Sequence, residues 1–294
     1  MAERISWIDP AGVETVLNDG VNCQVLRGRK GAFAPPVSFI EEEVPGRPGA
    51  RYRQTKILPR NLDLPLLVRG TDPDDLRGRI GALVYAMDPD RGEGRIRVRS
   101  TSGEQRELFC RYAAGLEGEE GGELWGGDWA KFLVSFRAVD PHWYSTYPLV
   151  RTYSIGDAAL FFPLLPLNIA PSTLFVDDMQ IENPGDHEAW PVWDLLGPGS
   201  DITLTNLTTG DSLSLTITLA AGEHLYIDTR PGVKTVKHQD GTNAYDHLSA
   251  TSRLWPLAVG INVVDLTMGG SSTDSQITLS FTPAYKSVPP EGSL

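Results

Sequence analysis

Between residues 202 and 219 the chain alternates apolar and hydroxyl side chains almost without a break, and few folds can accommodate such a stretch. Ile202 and Leu204 sit among Thr203 and Thr205, and Thr208-Thr209-Gly210-Asp211 makes a polar turn. Leu213, Leu215, Ile217 and Leu219 then alternate with Ser212, Ser214, Thr216 and Thr218. A strand turns successive side chains to opposite faces, so the pattern predicts a hairpin with one aliphatic and one hydroxyl face. The aliphatic face must lie on a second layer, which makes the hairpin half of an antiparallel sandwich. A third strand is expected at Leu225 to Asp228, after the Ala220-Ala221-Gly222 turn. Asn183-Pro184-Gly185-Asp186 and the apolar Trp190 and Trp193 lead into this region. Its outer face is too plain to look catalytic.

The chain has 294 residues, room for two ordinary domains, and its 30 Gly and 22 Pro predict many turns and little helix. Its net charge of −12 argues against gripping nucleic acid by counterion release, and against an anionic membrane surface. Two cysteines, Cys23 and Cys110, make no disulfide framework, and both fall at apolar positions of alternating stretches, where buried thiols are expected. No apolar run follows the opening Met-Ala-Glu-Arg, so no signal peptide is expected. The longest apolar run, Ala158 to Ala170, is cut by Pro163 and Pro166 and is too short to span a bilayer, so no membrane insertion is expected.

Ile5 and Trp7 open a first strand, and Val21, Cys23 and Val25 a second. Val37 to Val44 and Arg51 to Leu58 flank Pro45-Gly46-Arg47-Pro48-Gly49, which predicts a polar hairpin with a mobile tip. Its arms carry Glu41, Glu42 and Glu43 against Arg51, Arg53 and Lys56. Two readings stand: cross-strand charge pairing, or an arm projecting onto a neighbouring subunit. Leu62, Leu64, Leu66 and Val68 alternate with Pro65 on the opposite face, which places that strand at an edge or bulge. One helix is expected, capped by Thr71 or Asp72, with Pro73 in its first turn and Leu76, Ile80, Leu83, Val84 and Met87 on its inner face. Arg95, Arg97 and Arg99 give the next strand a basic outer face. Trp125 and Trp129 follow an acidic, glycine-rich loop, and Phe132 to Ala138 make the last strand of this half. The apolar segment Phe161 to Leu167 is expected to lie against something, and the tail from Lys286 to Leu294 to be frayed.

Nothing in the chain assembles a chemical site, and no catalytic, cofactor-binding or metal residue is assigned. Gly210-Asp211-Ser212-Leu213 spells the motif of GDSL hydrolases, but Ser212 falls inside a hairpin with no histidine in the required context. His142, His187, His224, His238 and His247 have no zinc-ligand spacing. Asp177-Asp178 and Glu41 to Glu43 read as solvated faces, and Asn206-Leu207-Thr208 is a glycosylation sequon by letters only. Trp125, Trp190, Trp193 and Trp255 could stack on sugars, although such rings in a sandwich usually form the core. The galectin sugar signature is absent from the second half.

Several blocks, taken in order, resemble the distal tail proteins of phages with non-contractile tails. They are Trp7-x-Asp9-Pro10-x-Gly12, the helix with Asp88-Pro89 after it, Ala138-Val139-Asp140-Pro141-His142-Trp143 and Phe162-Pro163-Leu164-Leu165-Pro166-Leu167. Asn183-Pro184-Gly185-Asp186 with Trp190-Pro191, Gly197-Pro198, Ala221-Gly222-Glu223, Ile227-Asp228-Thr229, and Leu254-Trp255-Pro256-Leu257 with Gly260-x-Asn262 complete the set. The resemblance implies a mostly β protein: a barrel- or sandwich-like, ring-forming tail-tube-like domain with one α-helix, then a galectin-like antiparallel β-sandwich without lectin activity. Boundaries are expected at 1–144, a connector at 145–181, the sandwich at 182–285 and a flexible tail at 286–294. It further implies a homo-oligomer, a hexameric ring in the virion at the tail tip, assembled in the bacterial host cytoplasm. The ring would join the tail tube protein to tail-tip or baseplate hub proteins, and DNA would cross its lumen without specific binding. No enzyme activity and no cofactor are expected. The rival reading is a carbohydrate-binding module or accessory domain of a glycan-active protein; an enzyme ranks third.

Overall fold

The computed structural model describes residues 3–43, 45–46, 48–118, 120–154 and 173–290. The apolar segment Phe161 to Leu167 lies outside them. Almost every element is a strand, and the described residues contain one α-helix. The chain divides into two compact units, residues 1–146 with 285–294, and residues 147–284.

The first unit holds strands β1 (Arg4–Ile8), β2 (Glu14–Val16), β3 (Cys23–Val25), β4 (Val37–Glu43), β5 (Ala50–Ile57) and β6 (Arg60–Arg69). Helix α1 (Pro73–Ala86) follows, then β7 (Gly94–Arg99), β8 (Gln105–Ala114), β9 (Trp129–Ala138) and β10 (Trp143–Ser145). The main sheet runs β2-β1-β7-β8-β9-β6-β3, an open path rather than a closed barrel. Its inner face buries Ile5, Leu62, Leu64, Ile96, Leu108, Val134 and Phe136. Trp7 stacks on Phe136 with ring centroids 5.2 Å apart, and its indole N–H donates to the Ala86 carbonyl at 2.7 Å, tying the sheet to the end of α1. Gly94 is required beneath this ring, because a Cβ there would meet the indole at 2.4 Å.

Asp72 caps α1, accepting from the amides of Asp74 at 3.0 Å and Asp75 at 2.8 Å. Leu76, Leu83 and Met87 are buried, whereas Val84 is exposed. The expected inner face is therefore narrower: at 100° per residue, Val84 falls on the rim of the stripe. The amides bonded to Asp72, that of Asp75 first, hold its carboxyl below the ordinary aspartate value. Asp72→Ala is expected to lower the melting midpoint of the first unit by about 2–4 °C. A lowered folded-state pKa means that the carboxylate contributes above the unfolded value and is lost on acidification. The gap between wild type and variant should thus close as pH falls below about 4, which thermal melts along a pH series will show.

Two expectations fail in this unit. β6 is not an edge: all ten of its residues pair with β9, and Leu66, Leu67 and Val68 pair with β3 on the other side. The Pro65 carbonyl accepts from Leu26 N at 2.7 Å, just past the end of β3. A residue's N and C=O point to the same side of a strand, so the missing N–H faces that gap and costs the β9 ladder nothing. The tail is not frayed as far as it is described. Val288 is buried and its amide donates to the Ala32 carbonyl at 3.1 Å. The fully buried Arg60 bonds the carbonyls of Gly31 at 3.0 Å and Lys286 at 2.6 Å. Arg106 bonds those of Ser287 at 2.8 Å and Val288 at 3.2 Å, and its guanidinium lies 3.5 Å from the centre of the Tyr285 ring.

The second unit is an antiparallel sandwich. Its strands are β11 (Leu149–Ser154), β12 (Thr173–Asn183), β13 (Val192–Leu196), β14 (Gly199–Asn206), β15 (Asp211–Leu219), β16 (His224–Asp228), β17 (Thr235–His238), β18 (Gly260–Gly269) and β19 (Gln276–Phe281). β20 (Ala284–Tyr285) straddles the return to the first unit. One sheet runs β11-β19-β13-β16-β17 and the other β12-β18-β14-β15. The alternating hairpin forms with Ile202 opposite Leu215 and Leu204 opposite Leu213, and all four are buried. The Leu225 strand pairs with β13 in the facing sheet, so it closes the sandwich instead of extending the hairpin. Two segments expected within the connector are strands: β11 pairs with β19 and β12 with β18.

Candidate functional site

The pair β4–β5 forms a two-stranded sheet of its own, joined to none of the three larger sheets. Every residue of β4 is exposed, including Phe39 at 59% and Ile40 at 48%, with Tyr52 at 58% on β5. A hairpin that buries neither face does not hold itself together through a core, and its exposed apolar side chains have no packing role within the described residues. A bulge after Ile40 sets the register, with Phe39 opposite Thr55, Glu41 opposite Tyr52 and Glu42 opposite Arg51. Paired residues share a face. One face therefore carries Phe39 and Tyr52, in edge contact at 6.2 Å, together with Glu41 and Glu43. The other carries Ile40, Glu42, Arg51 and Lys56. Arg53 reaches across to Glu42; among the described residues Glu41 and Glu43 have no cation within 4 Å. The charge-pairing reading thus accounts for Glu42 alone. Val44 and Arg47 lie outside the described residues.

The basic strand is not bare. Glu107, opposite Arg97 in register, bonds its guanidinium at 2.6 Å and lies 3.2 Å from that of Arg95. Glu14 adds contacts to Arg4 at 3.2 Å and Arg97 at 3.9 Å. The Ser6 hydroxyl, with these arginines behind it, holds the Glu14 carboxyl below its usual value against its partial burial.

The residues that could have carried chemistry serve other ends. Ser212 shares a 3.4 Å contact with Thr205, and Arg253 N donates to its carbonyl at 2.9 Å. His224 meets Asp194 at 2.7 Å, His238 meets Glu223 at 2.9 Å and His142 meets Asp140 at 2.8 Å. His247 faces the Thr216 carbonyl at 3.1 Å, and the His187 carbonyl accepts from Asn183 at 2.9 Å. Burial pushes the Cys23 and Cys110 thiols up to about 12, so neither is a thiolate nucleophile at neutral pH. Trp193 and Trp255 are core residues in edge contact at 5.6 Å, while Trp125 and Trp190 are half-buried. Among the described residues no group of three or more His, Cys, Asp or Glu is placed to hold a metal ion, and no helix is long and apolar enough to cross a membrane.

The blocks that carried the resemblance are structural joints. Burial raises the Asp140 carboxyl, but bonds from the His142 ring and amide and from the Tyr144 hydroxyl leave it below its ordinary value. Burial and the same 2.6 Å contact push the Tyr144 phenol up. The fully buried Asn262 accepts from Ala258 N at 2.9 Å and Asn206 Nδ2 at 3.2 Å. Gly185 sits so close to Ala284 that a Cβ would meet its carbonyl at 2.5 Å. Thr229 donates to the Pro191 carbonyl at 2.6 Å.

Residues 22–155 match the phage tail protein RIFT-related domain, and residues 184–285 match the C-terminal domain of the siphovirus-type tail component. No curated protein sequence matches the chain. Its fold is similar to that of SPP1 Dit, described as a paradigm of the hub adsorption apparatus in phages infecting Gram-positive hosts. The TM-score is 0.69 at 15% identity, over 97% of this chain and 99% of that one. Chains of the phage p2 baseplate in its activated conformation, solved with Ca and with Sr, each match at TM-score 0.52 and 10% identity over 96% of this chain and 98% of theirs. Two β units, in this order and each matching a tail domain, define a structural component of a siphovirus tail. Within that class the chain belongs to the siphophage distal tail protein family.

Proposed function

We propose that this protein forms a hexameric ring at the distal end of a non-contractile tail. The ring is a hub between the tail tube and the tail-tip or baseplate proteins, and DNA crosses its lumen without specific binding. The observation that carries the reading is the β4–β5 hairpin, whose two exposed faces have apolar groups, carboxylates with no cation within 4 Å among the described residues, and no core to join. A closed ring needs two different complementary patches on each copy, and a projecting hairpin supplies one of them. The near end-to-end likeness to SPP1 Dit, itself a hub protein by its description, supports the same reading. The first unit, residues 1–146 with 285–294, is the ring-forming part. The hydroxyl ladders of the second unit, Thr203 with Ser214 and Thr205 with Ser212, offer little apolar surface to a copy of themselves. Negative-stain micrographs of the purified protein should show six-fold rings; monodisperse monomers at every concentration tried would overturn the proposal.

The role is structural, in the virion after assembly in the host cytoplasm, and needs no catalysis or membrane insertion. Ser212→Ala is accordingly expected to leave hydrolysis of short aryl esters at the level of buffer, as for wild type. Activity abolished by that substitution would revive the hydrolase reading.

A further inference from the structure

The outer face of the main sheet carries a second patch with the opposite character to the hairpin. Arg111 on β8 and Arg137 on β9 are directly opposite in register, both exposed, and like charges so placed repel. Arg137 donates to the Asn61 side chain at 2.7 Å and Arg111 reaches the Pro89 carbonyl at 3.5 Å. Among the described residues neither has a carboxylate within 4 Å, unlike Arg95 and Arg97 beside them. Phe109 lies two residues before Arg111 on the same face of β8, and Leu133, 56% exposed, lies on that face of β9 four residues before Arg137, beyond Ser135. Two cations with no carboxylate within 4 Å among the described residues, beside the exposed Phe109 in a protein of net charge −12, form a face suited to an acidic partner.

We propose that the Arg111–Arg137 patch receives the acidic face of a neighbouring copy's β4–β5 hairpin. Glu41 and Glu43 would pair with the arginines, and Phe39 with Tyr52 would cover Phe109. The docking presupposes the ring assembly proposed above. Two features select this occupant. Two carboxylates with no cation within 4 Å among the described residues face two guanidiniums with no carboxylate within 4 Å among them, and the touching pair Phe39 and Tyr52 faces the exposed Phe109. Phe109, moreover, gives a phosphate backbone nothing to bind, whereas a protein partner buries it. The opposite hairpin face, with Arg51 and Lys56, would meet the arginines with like charge, so the match also fixes which way the hairpin lies.

Charge reversal tests this on the full-length protein, with mass read by light scattering across a concentration series. Arg111→Glu with Arg137→Glu, and separately Glu41→Lys with Glu43→Lys, should each weaken self-association by about tenfold or more per reversed pair. Combining all four should restore it. The hairpin variants lie outside every core, so their result does not depend on refolding of the sheet; wild-type thermal unfolding confirms this. Wild-type rings that persist in either double variant would overturn the docking while leaving the ring intact. A wild-type protein that never assembles would remove both. Retention on duplex DNA that the arginine variant abolishes, with assembly unchanged, would assign the patch to nucleic acid and overturn the proposal.

Discussion

Ending the chain at Ala284 is expected to destabilise the first unit by about 2–4 kcal/mol while leaving the sandwich untouched. The removed segment buries Val288 and supplies the carbonyls that satisfy Arg60 and Arg106, both buried themselves. Leaving a buried donor without its acceptor costs about 1–3 kcal/mol, and burying a valine contributes about 1.5–3. Against this stands the entropy of ordering a short segment, which keeps the net below the sum of the contacts. Hydrogen exchange resolves the two units: amides of β6 and β9 should lose protection, and those of β14 and β15 should not. A chain cut after Pro290 serves as the control and should exchange like wild type. Unchanged protection in the first unit of the Ala284-terminated chain would mean that the segment rests on the unit without supporting it.

The other large effect is expected at Leu215. It is buried in the sandwich core on β15, the edge strand of its sheet, opposite Ile202. Leu215→Asp should cost the second unit about 4 kcal/mol or more at neutral pH, combining lost apolar burial with an unpaired buried charge. The buried carboxyl will favour its protonated form, so its folded pKa lies above the unfolded one. The penalty is then smallest at low pH and grows as pH rises past the ordinary aspartate value. Urea unfolding at pH 4 and pH 7 measures both terms. A variant as stable as wild type at pH 7 would show that Leu215 does not face the core.

The elements most legible in the sequence are those whose evidence is local. Leu213 to Leu219 alternate because their strand has one wet face, and Asp72 caps α1 through amides two and three residues away. What could not be read is who sits beside whom. Periodicity states that Leu62 to Val68 face a core, but the neighbour on the Pro65 side is β3, forty residues earlier in the sequence numbering. The partner of Arg97 is legible only once β7 and β8 are known to pair. The segment after Tyr285 is short, rich in Pro and polar groups, and resembles a loose end; the two arginines that hold it, Arg60 and Arg106, lie far back in the chain. For the hairpin, the charges were visible in the sequence. Their sorting onto two unlike faces depends on the bulge after Ile40, which composition does not reveal.

The pairing of β11 with β19 has a further consequence. Leu149 lies opposite Phe281, so the first and last strands of the sandwich run side by side. The first unit, for its part, takes up the chain again at Tyr285. In chain order the sandwich is an insertion in the first unit, between Thr146 and Tyr285, and its first and last strands are paired with each other. An insertion so placed can be exchanged, enlarged or lost without altering the order of strands in its host. Each unit can thus change in sequence and size while the other keeps its own strand order.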